Sequence, residues 1–291
     1  MMLSVLMSVF NEERYIQEAI DSILSQEVDF EIEICIVDDL STDNTYEFVK
    51  NFYKNERRIK LFKNTQKGKV FAFNYAYERA KGDYYILFAG DDILVQGSLK
   101  KRIQPLIGGT LSIVSLCKLK TFSKKVEFDG VVSPKNPDKG AFTGGCMAIN
   151  KTFAKKIFPI PTVLANEDSW IICCFEYFTD IKIIHVPIIG INYRIHENNS
   201  VPRDGSFDNK NIFLHRRFIA YSVFLEKYRT DLNEKNINSL EALVAAENLR
   251  YQNNTVSILL MSNVPFKKRA RMVLYSNRFL FWIYNRFFTF L

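Results

Sequence analysis

The chain has 291 residues, of which 47% are hydrophobic, and it carries a formal net charge of +7. This length and composition allow one sizeable core, with or without a helical appendage, and the basic balance suggests an anionic partner. No apolar run reaches the length of about 18 residues that an ordinary transmembrane helix needs, so no such helix is expected. Five cysteines without C-x-x-C spacing predict reduced thiols in a cytosolic protein.

Strands and helices alternate regularly over the first ninety residues. The N-terminus lacks a basic leader, and its apolar run predicts a first buried strand instead of a signal peptide. The predicted elements are strand 3–9, helix 12–25, strand 32–37, a helix after Ser41, strand 59–62, helix 69–80 and strand 84–88. This alternation predicts a parallel sheet with right-handed crossovers.

Polar residues follow three of these strands at the points where they end. They are Phe10-Asn11, Asp38-Asp39 and Asp91-Asp92. The carboxyl ends of parallel strands meet at one sheet edge, where ligands bind. Adjacent carboxylates repel each other unless a cation lies between them. We therefore expect a divalent metal here, holding a phosphorylated ligand. A solvated turn with two surface acids is the alternative for Asp91-Asp92.

The pattern is looser between residues 95 and 200, and the chain beyond residue 207 is predicted to be helical. The middle region is predicted to contain helix 98–106, strands 112–116 and 118–122, loop 133–140, a turn at Gly144-Gly145, a helix opening at Glu167-Asp168, strand 182–191 and polar loop 192–201.

The last segment, 265–291, combines basic and aromatic residues and contains no acid. Basic groups attract anionic lipid, and aromatic side chains enter the membrane interface, so we expect binding to a membrane surface. Arg278 and Arg286 argue against a spanning segment. An oligomer interface is an alternative. Nucleic acid is not expected, since no stacking-sheet motif is present.

Several short motifs recur in a fixed order along residues 2–200. They are Phe10-Asn11-Glu12, the segments 22–26 and 37–43, Asn74, Gly82-Asp83-Tyr84, Gly90-Asp91-Asp92, Gly144-Gly145, Glu167-Asp168 and Tyr193-Arg194-Ile195-His196 with Ser200. Together they resemble the catalytic domain of glycosyltransferase family 2. The resemblance implies an α/β GT-A fold, a Rossmann-like and mostly parallel sheet flanked by helices, with a C-terminal helical extension.

The implied organisation is a catalytic domain at 1–205 followed by a helical extension at 206–291. Residues 1–92 form the nucleotide-binding half and residues 93–205 the acceptor-binding half. The extension ends in the basic aromatic tail, 265–291.

The resemblance also implies which residues bind a UDP-sugar. Asp39 accepts a hydrogen bond from the uracil N3–H, and Phe10 lies against the ring. Helix N-termini attract phosphate, so Lys67 and Lys69 are expected near the diphosphate. Glu12 is also expected in the nucleotide site, and Asp91 at the ribose or a metal-bound water. The alternatives are a helix cap for Asp39 and a solvated turn for the two lysines.

Metal binding and proton transfer are implied for a second set of residues. Asp92 is the expected direct ligand of Mn²⁺ or Mg²⁺, and His196 reaches the metal or the diphosphate. Asp168 is the expected general base, and Glu167 orients the acceptor or that base. The alternative for both acids is electrostatic complementation of a helix N-terminus.

The chain departs from the family pattern at two positions. Ala89 lies where the family often has an Asp, and Phe73 lies where it often has an Arg. Lys67 or Lys69 is expected to replace that arginine.

The resulting prediction is an inverting, metal-dependent glycosyltransferase, cytosolic and attached to the inner face of the cytoplasmic membrane. It would form a β-linkage from a UDP-sugar to a polyprenyl-diphosphate-linked saccharide in O-antigen or capsule synthesis. The alternatives are a degenerate, non-catalytic nucleotide-sugar-binding partner and a nucleotidyltransferase. The latter begins with a Gly-rich loop containing Arg, which residues 10–13 do not match.

Overall fold

The computed structural model describes residues 1–197, 199 and 206–287. These residues divide into two units. The first comprises Met1–Thr162 and Phe178–Asn199, and the second comprises Val163–Tyr177 with the described part of Ser200–Leu291. Ser200, the boundary predicted at residue 205 and the last four residues of the tail lie outside the described residues, so the domain boundary stays a prediction.

The described part of the first unit contains a single mixed sheet of nine strands. The strands are β1 (Met2–Val9), β2 (Glu31–Asp38), β3 (Ile59–Lys63), β4 (Tyr84–Ala89), β5 (Ile93–Leu94), β6 (Ser112–Ser123), β7 (Val132–Ser133), β8 (Met147–Asn150) and β9 (Ile181–Ile195). Their order is β3-β2-β1-β4-β8-β6-β9-β5, with β7 paired to β6. The first four strands are parallel, as predicted, whereas β8 runs antiparallel to both neighbours.

Helices flank the sheet and make up most of the second unit. The first unit contains α1 (Ile16–Leu24), α2 (Thr45–Phe52), α3 (Lys69–Arg79), α4 (Ser98–Ile103) and α5 (Lys151–Ile157). The second unit contains α6 (Glu167–Tyr177), α7 (Phe207–Tyr228), α8 (Glu234–Tyr251), α9 (Thr255–Leu260), α10 (Phe266–Leu274) and α11 (Arg278–Phe287). The helical extension predicted beyond residue 207 is therefore confirmed over the described residues.

The core of the first unit forms where the apolar strands meet amphipathic helices. β1 and β2 are buried along almost their whole length, as continuous apolar strands in a covered parallel sheet should be. α1 buries one stripe at helical spacing, made of Ile16, Ala19, Ile20 and Ile23. This packing leaves the loops after the strands as the place where polar groups can gather.

The second unit has its own apolar core. It is built from Ala242, Leu243 and Ala246 of α8 with Ile258 and Met272. No helix among the described residues is both long and apolar enough to cross a bilayer.

Two strand predictions were wrong, and backbone pairing explains both. A single strand, β6, replaces the two strands predicted at 112–116 and 118–122, with an irregular register between Leu116 and Lys118. β9 continues to Ile195, although a polar loop was predicted from residue 192. The last four residues of β9 pair with β6, as in the Ser123–Ile195 pair, and this ladder overrides the loop-like polarity of their side chains.

Asn74 of α3 satisfies two backbone groups in the interior of the first unit. Its Nδ2 donates to the Ile160 carbonyl and its Oδ1 accepts from the Ile160 N–H, each at 2.8 Å. Asn74→Ala should lower the free energy of unfolding by about 2 kcal/mol, because both groups lose their partner in a buried place. Urea denaturation measures this, with Asn51→Ala at an exposed position of α2 as the control. Equal stability of the two variants would contradict the assignment.

Candidate functional site

The carboxyl ends of β1, β2 and β4 lie side by side at one edge of the sheet. In the parallel register Val9 pairs with Asp38, and Ser8 pairs with Ala89. Phe10 and Asp39 follow β1 and β2 directly, and the Asp91-Asp92 pair follows β4 after Gly90. Strand pairing thus gathers the three polar ends that the sequence predicted at a common edge.

Asp39 is buried, and most of its acceptor capacity is used by neighbouring groups. Its Oδ1 accepts from Asn64 Nδ2 and from the Gly68 N–H, each at 2.8 Å. The Lys67 ammonium donates to the Asp39 carbonyl at 2.5 Å and lies 3.5 Å from Oδ2. Asn64 was not predicted. Its position directly after β3, at the same sheet edge, could have indicated that it belongs to the site.

Phe10 and Asp38 complete this part of the edge. Phe10 is 43% exposed and is therefore not a core residue. Lys67 Nζ lies 2.8 Å from the centroid of its ring. Asp38 Oδ2 accepts from the Ser41 N–H at 3.0 Å and so shapes the turn after β2. The N-cap of α2 is Asn44, so the cap suggested as an alternative role for Asp39 is absent.

Glu12, Asp91 and His196 converge at the same sheet edge. Each offers one ligand atom, and these atoms lie within 4.8 Å of one another. His196 Nε2 hydrogen-bonds Asp91 Oδ2 at 3.0 Å. Asn199 Nδ2 donates to the same oxygen at 3.3 Å. A loop residue from far along the chain thus joins acids that follow β1 and β4.

Asp92 is more deeply enclosed than Asp91. Its Oδ1 accepts from the Arg194 N–H at 3.0 Å. Burial and the neighbouring Asp91 carboxylate raise the pKa of Asp92 well above its usual range, and the Arg194 N–H works in the opposite direction. The converging group of three contains Asp91. The sequence had instead predicted Asp92 as the direct metal ligand.

The electrostatics of this cluster fit a divalent cation. Burial, followed by the charges of Asp91, Asp92 and Asp43, raises the pKa of Glu12 to about 8. Glu12 Oε2 is buried without a hydrogen-bond partner among the described residues. A cation would neutralise the crowded carboxylates and use this oxygen, which is the chemistry that hard divalent ions prefer.

Arg194 holds the paired acids in place, a role that the sequence motif did not reveal. Its side-chain Nε donates to the Asp91 carbonyl at 2.8 Å. The guanidinium lies between the rings of Tyr15 and Phe122, 4.4 Å from each centroid. Arg194 lies within β9, and the pairing of this strand with β6 sets its position. Arg194 occurs two residues before His196 in a polar stretch of the sequence, and this position could have indicated the role.

The family arginine position has become part of the core in this chain. Phe73 is only 2% exposed, so no polar group can act there. Lys69 Nζ lies 5.6 Å from the Phe73 ring, and its charge lowers the pKa of Asp92 against the larger effect of burial. Lys69 therefore brings positive charge to this part of the site.

Glu167 and Asp168 occupy the first turn of α6, in the second unit. Glu167 is buried, and Asp168 Oδ2 lies 3.9 Å from a guanidinium nitrogen of Arg217 in α7. Trp170 is fully buried and belongs to the core. Arg217 was not predicted, since nothing in the sequence connects α7 to this acid pair.

Comparison with known proteins decides the family. The model of the family described as "Glycosyl transferase family 2" matches residues 4–158, which is more than half of the chain. The chain belongs to glycosyltransferase family 2. A relative from Campylobacter jejuni, named GalNAc(5)-diNAcBac-PP-undecaprenol beta-1,3-glucosyltransferase, is 30% identical over 224 residues, covering 76% of this chain and 65% of that protein. The matches to three curated relatives span 33% to 65% of those relatives' own length.

Solved structures show the same fold. S. aureus TarS in complex with UDP-GlcNAc has a TM-score of 0.64 at 18% identity, covering 98% of this chain and 92% of that chain. The mannosyltransferase PcManGT from Pyrobaculum calidifontis, in complex with GDP-Man and Mn²⁺, has a TM-score of 0.54 at 18% identity, covering 99% and 87%. The predicted GT-A fold of this glycosyltransferase family 2 chain is thereby confirmed.

Asp91 should contribute more to metal affinity than its sequence position suggested. Asp91→Asn is expected to weaken Mn²⁺ binding by at least about tenfold, because even supporting contacts to a metal have effects of that size. Electron paramagnetic resonance of free Mn²⁺ measures the affinity, and Asp29→Asn at the opposite sheet edge controls for lost charge. Weakened binding in Asp92→Asn with unchanged binding in Asp91→Asn would support the sequence-based prediction that Asp92 is the direct ligand.

Proposed function

We propose that this chain is an inverting, metal-dependent glycosyltransferase that uses a UDP-sugar. One observation carries the proposal. The Asp39–Phe10 pair and the acid cluster of Glu12, Asp91 and His196 lie at the same sheet edge, where a nucleotide and its diphosphate need their separate partners.

Asp39 and Phe10 suit a pyrimidine base. The Asp39 carboxylate is anchored through Oδ1, which leaves Oδ2 directed toward the place where Lys67 now lies. That oxygen can accept from the uracil N3–H, while the exposed Phe10 ring supports the base by stacking. The complex of S. aureus TarS with UDP-GlcNAc supports UDP as the nucleotide of the donor.

Glu12, Asp91 and His196 are the residues that would hold the metal, with Asp92 as the further candidate that the family resemblance implies. A divalent ion here would offset the negative charge that grows on the departing diphosphate. A histidine nitrogen suits a transition ion better than Mg²⁺, so we favour Mn²⁺. PcManGT, which has the same fold, was solved with Mn²⁺.

Asp168 is the proposed general base. It would accept the proton of the acceptor hydroxyl as that oxygen bonds to the anomeric carbon, while the bond from this carbon to the diphosphate breaks. Attack from the opposite face inverts the configuration and gives a β-linkage from an α-linked donor. The Arg217 guanidinium, 3.9 Å away, would orient the carboxylate, and Glu167 would position the acceptor or the base.

The proposed acceptor is a saccharide linked to polyprenyl diphosphate, in the synthesis of a surface polysaccharide such as O-antigen or capsule. The relative from C. jejuni is named for an undecaprenol-linked acceptor, and one from Methanococcus voltae for a dolichyl phosphate-linked one. Both names join a glycosyl transfer to a lipid carrier. Such an acceptor requires an enzyme that works at a membrane surface.

The tail, 265–291, is the proposed membrane contact. α10 and α11 expose Phe266, Phe279 and Trp282, with the Arg286 guanidinium 5.7 Å from the Trp282 ring centroid. Met272 of α10 and Phe281 of α11 are buried. An exposed aromatic face with basic residues and no acid is what an interfacial helix presents to anionic lipid. The proposed location is the inner face of the cytoplasmic membrane.

The role of Asp168 is tested by Asp168→Asn. UDP release with acceptor and Mn²⁺ should fall by about 10²- to 10⁴-fold, the usual contribution of a general base, with UDP affinity nearly unchanged. Glu176→Gln in the same helix is the matched control and should retain turnover. Unchanged turnover in Asp168→Asn would remove it as the base. Tight UDP binding without turnover in the wild-type protein, across a panel of UDP-sugars and acceptors, would favour the degenerate partner.

The membrane contact is tested by replacing Phe279 and Trp282 together with Ser. Co-sedimentation with phosphatidylglycerol vesicles should weaken by at least about tenfold, because two large apolar side chains no longer enter the interface. The matched control replaces the exposed Phe52 and Val126, which lie in the first unit. Equal loss in both double variants, or binding that is independent of lipid charge, would contradict the proposal.

A further inference from the structure

The Lys67 side chain lies where the proposed function places a base. Its ammonium nitrogen is 2.8 Å from the centroid of the Phe10 ring. The same nitrogen is 2.5 Å from the Asp39 carbonyl oxygen and 3.5 Å from Asp39 Oδ2. One cation therefore covers both the ring face and the carboxylate oxygen that a uracil would use.

The remaining oxygen of Asp39 offers no other route to the base. Oδ1 already accepts two hydrogen bonds at 2.8 Å, from Asn64 and from the Gly68 backbone. A stacked base needs about 3.5 Å between ring planes, and the ammonium lies within that space. The base and the ammonium cannot occupy this place together.

We propose that Lys67 closes the base-binding site in the nucleotide-free protein and has to leave before a uracil nucleotide binds. The inference rests on the proposed function, since it concerns the same site. It assigns Lys67 two successive partners, Phe10 with Asp39 before binding and the nucleotide phosphates afterwards.

Local structure permits this movement. The Lys67 side chain is 48% exposed, so it can rotate into solvent without disturbing the core. Gly68 follows with φ of +145°, a conformation that residues with side chains rarely adopt, and it permits the backbone turn between Lys67 and α3. α3 begins immediately afterwards, and a helix N-terminus with a nearby ammonium attracts phosphate.

The closure affects a nucleoside and a nucleoside diphosphate differently. Uridine has to displace the ammonium and offers it no anionic partner. UDP displaces it too, but its diphosphate gives the ammonium a new partner. Lys67→Ala should therefore bind uridine about five- to tenfold more tightly than the wild-type protein, the size expected from losing one exposed cation–π contact and its accompanying ion pair. UDP affinity should gain less or should fall.

Calorimetric titration with uridine and with UDP, at fixed Mn²⁺, tests this inference. Lys100→Ala is the matched control, since Lys100 is an exposed lysine paired with Asp29 away from the site. It should bind both ligands as the wild-type protein does. Unchanged or weaker uridine binding in Lys67→Ala overturns the closure, even if UDP binds well. Absence of UDP binding in the wild-type protein and in both variants overturns the proposed function itself.

A direct measurement of the side chain complements the affinities. In NMR spectra of the nucleotide-free protein, the Lys67 CεH₂ protons should be shifted upfield because they lie over the Phe10 ring. Lys67→Ala identifies the signal, and Phe10→Leu should remove the shift. Added uridine should return the signal to the ordinary lysine position. An ordinary position before any ligand is added would overturn the closure.

Discussion

Crowding of carboxylates at the edge of a parallel sheet is the constraint on which the site depends. Parallel pairing of β1, β2 and β4 brings their carboxyl ends together, and the acids that follow β1 and β4 interact with one another. Burial removes the water that would screen their repulsion, which raises the pKa of Glu12 and of Asp92. Neighbouring hydrogen-bond donors lower the energetic cost of this crowding.

Those compensating groups come from widely separated parts of the chain. Asn64 and the Gly68 backbone donate hydrogen bonds to Asp39. Arg194 donates to the backbone carbonyl of Asp91 and to the carboxylate of Asp92. The extension of β9 alongside β6 as far as Ile195 delivers Arg194 to this place. β9 is longer than its side chains alone would favour, and this extra length places Arg194 beside the acids.

This chain also distributes its positive charge differently from the family pattern. The phenylalanine at the family arginine position is buried, and two lysines on either side of Gly68 carry the nearby charge. Lysine is a flexible point charge, whereas arginine has a rigid planar head. A lysine can therefore contact one partner before ligand binding and another afterwards, which a fixed arginine does less readily. Replacing the family arginine with a phenylalanine thus leaves a lysine to close the site, and it leaves the acids in place.

The sequence by itself determined the alternation of strands and helices in the first ninety residues, the helical character beyond residue 207 and the three polar strand ends. These follow from local periodicity and from the rule that parallel strands end at a common edge. Tertiary structure alone decided which acids converge, because Glu12, Asp91 and His196 are brought together by packing across more than 180 residues of chain. It also decided the full length of β6 and β9, where backbone pairing outweighs side-chain preference. The position of Lys67 over Phe10 likewise depends on a turn and a neighbouring strand that no local pattern connects.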